Sequence, residues 1–277
     1  MIVLTKEGVD GRHKAGHDEE ERHVTKLTGK VAIVTGGARG IGAHYSRALA
    51  AEGARVMIAD IEDGSALAKS IYDECGPEAA VSSIADVSDE SSVESLVAST
   101  VERFGRIDIL VNNAALYAKL SPRNFDEWDV ATWDRVMAIN VRGPWLMVRH
   151  VAPVMIAQKS GKIVNIASGT VYKGTPRMLP YVTSKGAMLA FTRALSRELG
   201  PHGIAVNTLA PGYTLSDTGL ENTAHVEEAR VPVRATRAFK RDEQPEDLLG
   251  ALIFLVSSDC DFVTGQSLVV DGGSVNN

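Results

Sequence analysis

Lys30-Val31-Ala32-Ile33-Val34-Thr35-Gly36-Gly37-Ala38-Arg39-Gly40-Ile41-Gly42 is where a regular rhythm begins in this chain. Its first six residues form a short apolar run that ends at glycines, the pattern of a strand buried on both faces. Ile41, Tyr45, Ala48 and Leu49 then recur at helical spacing and stop at Gly53, so a helix follows the glycine turn directly. Glycines allow a tight turn and bring backbone N–H groups close to a phosphate, whose charge is favoured at a helix N-terminus. The spacing of Gly36, Gly40 and Gly42 is Gly-x3-Gly-x-Gly, which differs from the Gly-x-Gly-x-x-Gly fingerprint. A glycine turn alone also joins strands to helices that bind nothing. The strand–turn–helix setting favours a dinucleotide pyrophosphate.

Downstream, the alternation repeats. The pattern predicts strands over 54–60, 79–84, 107–111, 162–166, 204–209 and 267–270. It predicts helices over 65–72, 88–104, 129–158, 181–199 and 245–256, with Ser88 or Asp89 capping the second and Gly200-Pro201 closing the fourth. Strand and helix in unbroken succession indicate an α/β fold, a single Rossmann-type doubly wound parallel sheet with helices on both faces. No linker and no internal repeat divides it, so residues 29–277 read as one domain.

Residues 1–28 differ from the rest, being rich in charged residues, Gly and His with few large apolar groups. Such a stretch buries too little surface to offset its ordering entropy and reads as a flexible tail. His13 and His17 stand at i, i+4 spacing, but Gly16 weakens a helix there and no cysteine joins them. A solvated tail is the better reading, and no metal site is expected. Of 277 residues, 44% are hydrophobic and 23% charged, and the formal net charge is −6. These values describe an ordinary globular protein and give no electrostatic reason to expect nucleic-acid binding. Cys75 and Cys260 fit no metal-ligand spacing, so free thiols in a reducing compartment are expected. No apolar run approaches the roughly 18 residues of a membrane span, and the start lacks the apolar segment of a secretory signal. The expected location is cytoplasmic, away from any membrane.

Asp60 ends the second strand, 18 positions after Gly42. That is near the distance of roughly 20 residues at which an acid binds the adenosine ribose hydroxyls of NAD. A carboxylate there would repel the 2′-phosphate of NADP, and Ile61, next in line, brings no base. Arg39 points the other way, as a phosphate partner, or is a solvated loop charge. Tyr181 and Lys185 lie four apart on a predicted helix, so both project from one face. A phenol is a poor base at neutral pH; an ammonium nearby, with a positively charged nicotinamide ring, is expected to bring its pKa toward the working range. Ser168, at the end of the preceding strand, is placed to hold a substrate oxygen beside that phenol. Ile166 stands where a hydrolase Gly-x-Ser-x-Gly elbow requires glycine.

The glycine motif, Asn112-Asn113-Ala114, Asn140, Ser168 and Tyr181-x3-Lys185 resemble, in order and spacing, the short-chain dehydrogenase/reductase family. The match runs from Lys30 to near the end of the chain. The resemblance implies NAD(H)-dependent hydride transfer between an alcohol and its carbonyl, with Tyr181 as general acid/base. It also implies that Lys185 binds the nicotinamide ribose and that Asn140 holds a water of the proton relay. Asp86-Val87 would contact adenine. Asn113 and Ala114 would lie beside the cofactor, and Pro211-Gly212 near the nicotinamide. Ser216 stands where the family has a threonine contacting the carboxamide, a role that Thr214 could share; Ala115 replaces the usual glycine after Asn-Asn-Ala. The substrate pocket would come from Leu116-Tyr117, residues 170–179 and a mobile loop from Tyr213 to about Arg237. Tyr117, Thr170, Tyr172, Met178 and Tyr213 suggest a cyclic or aromatic alcohol, or else ordinary packing. Arg230, Arg234 and Arg237 read as a solvated face rather than an anion site. An NADPH-dependent 3-oxoacyl-type carbonyl reductase and a non-catalytic dinucleotide-binding scaffold are the alternatives. A homotetramer or homodimer, built through two long helices and the C-terminal strand region, follows from the resemblance.

Overall fold

A computed structural model describes residues 25–217 and 223–275. Seven parallel strands form one sheet in the order β3-β2-β1-β4-β5-β6-β7. They are β1 (Val31–Thr35), β2 (Arg55–Asp60), β3 (Ala80–Ile84), β4 (Ile109–Asn112), β5 (Gly161–Ile166), β6 (Ile204–Pro211) and β7 (Ser267–Val270). Helices α1 (Gly40–Ala51), α2 (Ser65–Cys75) and α3 (Glu90–Phe104) alternate with the first four. After β4 come α4 (Val130–Met137) and α5 (Gly143–Gln158), then a short α6 (Thr170–Lys173) and α7 (Leu179–Leu199) after β5, and finally α8 (Thr223–Thr236) and α9 (Glu246–Val256).

Alternation along β1 explains the layering. Ala32 and Val34 enter an apolar cluster with Tyr45 and Leu49 of α1, Ile71 of α2 and Leu248 and Leu252 of α9. Val31 and Ile33 enter another, with Val93 and Leu96 of α3, Met147 and Val151 of α5 and Leu199 of α7. Side chains of successive strand residues point to opposite faces, so an unbroken apolar run feeds two cores at once. The doubly wound architecture follows from that pattern. Asp89 caps α3, its side chain accepting from the Ser91 N–H.

The fold departs from the sequence expectations in three places. Residues 25–28, assigned to the tail, join the body: Leu27 is 1% exposed and its N–H donates to the Glu52 carbonyl at 2.9 Å. Burying a leucine is worth roughly 1.5–3 kcal/mol, enough to fix a chain that composition alone marks as polar. The remainder of that tail, including His13 and His17, lies outside the described residues. The predicted helix 129–158 is interrupted by a wide π turn, Ala138–Arg142, which carries Asn140. The segment expected as a mobile loop holds α8, whose Ala, Glu and Arg residues favour a helix despite Pro232. Both cysteines are free, and no helix among the described residues is long and apolar enough to cross a membrane.

Candidate active site

Strand order reverses direction of travel on either side of β1, and a crevice opens there beyond the carboxyl ends of the strands. A cleft of about 410 Å³ occupies this position. Gly36, Arg39, Gly40, Ile41 and Gly42 line it from the β1–α1 turn, with Asp60 and Ile61 from the end of β2. Asp86 and Val87 come from beyond β3, and Asn113, Ala114 and Tyr117 from beyond β4. Ser168, Thr170, Met178, Tyr181, Lys185, Pro211, Gly212, Tyr213, Thr214 and Ser216 also line it. The sequence thus placed most of its candidates on one surface.

The glycine turn is built for close approach. A Cβ on Gly42 would stand 1.9 Å from the Gly36 carbonyl oxygen and 2.6 Å from Asn113 Nδ2. Asn113 ties the end of β4 to this turn, its Nδ2 donating to the carbonyls of Thr35 (3.0 Å) and Gly36 (2.9 Å). No side chain caps the first turn of α1, whose amides and dipole are therefore available to an anion. Asp60 accepts from the Ala38 N–H at 3.0 Å and the Glu62 N–H at 3.2 Å, which fixes its carboxylate against the turn. Arg39 donates to both oxygens of Glu62 at 2.9 and 3.0 Å. Glu62, which the sequence reading passed over, therefore answers the charge of Arg39.

Tyr181 and Lys185 project from the same face of α7, as their spacing requires. Lys185 is only 3% exposed and donates to the Ile166 carbonyl at 2.7 Å, with Nζ 5.8 Å from the centroid of the Tyr181 ring. Burial lowers its pKa to about 8. Burial also raises the Tyr181 phenol to about 12, partly offset by the Ser168 hydroxyl facing it. The lowering expected from the ammonium is thus not supplied by the chain alone. Desolvation of the phenol dominates, and the amine is turned to a carbonyl instead of the hydroxyl. The Tyr117 ring leans on that of Tyr181, centroids 4.7 Å apart at 44°.

Two candidates fall outside the lining. Asn140 accepts from the Leu116 N–H at 2.7 Å and donates to the Ser184 hydroxyl at 3.0 Å and the Leu116 carbonyl at 3.3 Å. Both its amide hydrogens are committed to protein, so its side chain braces the turn after β4 against α7. Tyr172 packs against the cluster of Ala167, Met188 and Ala210 instead of facing the cleft, because α6 turns its ring away. Thr214 lines the cleft, but its hydroxyl donates to Glu243 at 2.7 Å.

The solvated arginine face also fails at one position. Arg237 is 2% exposed and meets Glu243 at 3.1 Å, while Arg230 pairs with Asp242 at 2.6 Å. Burial pushes Glu243 up to about 7, against the pull of Thr214 and Arg237. Nothing in the spacing of these residues signalled that pairing. Among the described residues no group of His, Cys, Asp or Glu could hold a metal ion.

A family model described as enoyl-(acyl carrier protein) reductase matches residues 36–275. Sorbitol dehydrogenase of Cereibacter sphaeroides is 39% identical over 259 residues, covering 90% of this chain and 98% of that protein. Galactitol 2-dehydrogenase of Agrobacterium fabrum is 36% identical over 258 residues, with coverage of 90% and 98%. Among solved structures, 3-ketoacyl-(acyl-carrier-protein) reductase from Brucella melitensis, complexed with NADH, is similar with a TM-score of 0.81 at 32% identity. That similarity covers 90% of this chain and 99% of the other.

Proposed function

The chain belongs to the short-chain dehydrogenase/reductase family, and on that premise we propose that it is an NAD(H)-dependent oxidoreductase interconverting a secondary alcohol and its carbonyl. The observation that carries this reading is convergence. One cleft is lined by a glycine turn at an uncapped helix N-terminus, the Asp60 carboxylate, and the Ser168, Tyr181 and Lys185 side chains. Relatives named as polyol dehydrogenases support alcohol oxidation.

In this reading the amides of the Gly36–Gly42 turn hold the pyrophosphate and Asp60 the adenosine ribose. Asp86 and Val87 border the adenine. Asn113, Ala114, Pro211 and Gly212 flank the nicotinamide half, and Lys185 holds its ribose. Ser216 and Thr214, which both line the cleft, are the candidates for the carboxamide. When bound, an oxidised nicotinamide would supply the hydride-accepting carbon and a positive charge. Ser168 donates to the substrate oxygen and fixes it beside Tyr181. Tyr181 takes the alcohol proton during oxidation and returns it during reduction. Asn140 acts as a positioning residue through Leu116 and Ser184.

NAD is favoured because a 2′-phosphate would face both Asp60 and Glu62, with Arg39 already paired to the latter. NADH is expected to bind at least about tenfold more tightly than NADPH. Calorimetric titration checks this, and tighter NADPH binding would favour the NADPH-dependent alternative. The reaction itself is tested by following reduced-cofactor absorbance over a panel of secondary alcohols; no turnover with any of them would favour a binding scaffold.

We also propose a homotetramer, with a homodimer as its half. Trp145 on α5, and Phe254, Phe262 and Leu268 near the C-terminal strand, stand exposed on two separate faces. These exposed apolar side chains sit on elements through which the family resemblance implies assembly, and they support the proposal. Light scattering at micromolar concentration is expected to report four chains, and a monomer would contradict the proposal.

A further inference from the structure

A buried ion pair is seldom kept for stability alone, because removing two charges from water offsets most of their attraction. Arg237 and Glu243 are both almost fully buried, and several of their hydrogen bonds go to the segment just after β6. Arg237 Nη2 donates to the Tyr213 carbonyl at 2.8 Å and to Glu243 Oε2 at 3.1 Å. Glu243 Oε1 accepts from the Gly212 N–H at 3.1 Å and the Thr214 hydroxyl at 2.7 Å. The Glu243 carbonyl accepts from the Leu215 N–H at 2.9 Å. Gly212, Tyr213 and Thr214 are therefore each held by a side chain of the pair, and Leu215 by the Glu243 main chain.

The rest of the pair's bonding anchors it to the frame. Arg237 Nε donates to the Asp271 carbonyl, just beyond β7, at 3.1 Å, and Nη1 to the Arg241 carbonyl at 3.1 Å. Gly212 is also held by the Val270 carbonyl at 2.8 Å. On its other side, the Pro211 carbonyl accepts from the Gly169 N–H at 2.8 Å, next to Ser168. Three of the clamped residues, Gly212, Tyr213 and Thr214, line the cleft.

We propose that the Arg237–Glu243 pair is a positioning device for the 212–216 loop, and that it sets affinity for the nicotinamide half of a dinucleotide while leaving the adenosine half untouched. The inference rests on the cofactor reading given above. The separation of the two halves comes from the sheet. β6 lies three strands from β1 and four from β2, which carry the glycine turn and Asp60. At roughly 4.8 Å per strand, these spacings are about 14 and 19 Å. The 212–216 loop is too far away to alter contacts at Asp60 directly; Glu243 lies nearer α1, where its charge reaches Tyr45, so ADP-ribose is the control for any effect passed through that helix.

Binding of NADH and of ADP-ribose, which lacks the nicotinamide, to the full chain separates these effects. Glu243→Gln keeps the shape but turns an N–H group toward the arginine. The double variant Arg237→Met/Glu243→Leu replaces the pair with apolar groups of similar volume, a change that buried pairs often tolerate, so a folded protein remains for study. Both are expected to weaken NADH by about tenfold, the effect of losing buried hydrogen bonds, with ADP-ribose affinity within about twofold of the parent. Unchanged NADH affinity in the folded double variant would overturn the assignment. Equal weakening of NADH and ADP-ribose would overturn it too, since that marks a general loss of structure. A parent chain that binds neither ligand would overturn the cofactor reading itself, a failure distinguishable from the other two.

Discussion

Tyr181→Phe is expected to lower kcat by about 10²–10⁴-fold, the usual worth of a positioned general acid/base, with NADH affinity unchanged. Only the hydroxyl is removed. The ring keeps its contact with Tyr117 and its place in the cluster with Leu120, Val136 and Met178, so the fold should hold. The pH dependence carries a second signature. Oxidation needs the phenolate and reduction the neutral phenol, and burial places the phenol at about 12 in the chain alone. Oxidation should therefore quicken as pH rises and reduction should slow. Both slopes should flatten in the residual rate of the variant. A variant retaining the parent's slopes would assign the proton to another group.

Gly42→Ala is expected to abolish measurable NADH binding and to destabilise the chain by at least about 1–3 kcal/mol, as overpacking of a filled site does. The new Cβ would stand 1.9 Å from a backbone oxygen and 2.6 Å from Asn113 Nδ2, neither of which can yield cheaply. The Gly36 carbonyl also accepts from Asn113, so displacing it disturbs the β1–α1 turn and the end of β4 together. At roughly 2–4 °C per kcal/mol for a chain of this size, thermal unfolding should register the change clearly. Parent-like affinity and melting temperature would mean that the turn is not the tight cradle described.

Local pattern carried the reading of the fold because each strand of this sheet is buried on both faces. Val31 to Val34 is a continuous apolar run for that reason, and Gly53 and Gly200 mark helix ends in the sequence itself. The helical spacing of Tyr181 and Lys185 was equally legible, since four residues bring two side chains to one face whatever lies around them. Burial and long-range pairing were not legible. Arg237 and Glu243 look like two charges in a charged segment, and only the return of the chain between α8 and α9 buries them against β6 and β7. Leu27 sits in a polar context yet closes the core against α1. Asn140 was noticed as a residue, but its wide turn depends on a helix passing Leu116 and Ser184. Tyr172 was assigned to the cleft by residue type, and the direction of a four-residue helix decided otherwise.

The claim that most depends on direct proof is that this chain moves a hydride between a nicotinamide and an alcohol carbon. Secondary alcohols bearing deuterium at the carbinol carbon, incubated with NAD and the full chain, provide the measurement. Mass spectrometry of the product should find NADH carrying one deuterium, formed by the parent and nearly absent with Tyr181→Phe. NADH formed without deuterium, or formed at equal rates by both proteins, would contradict the account.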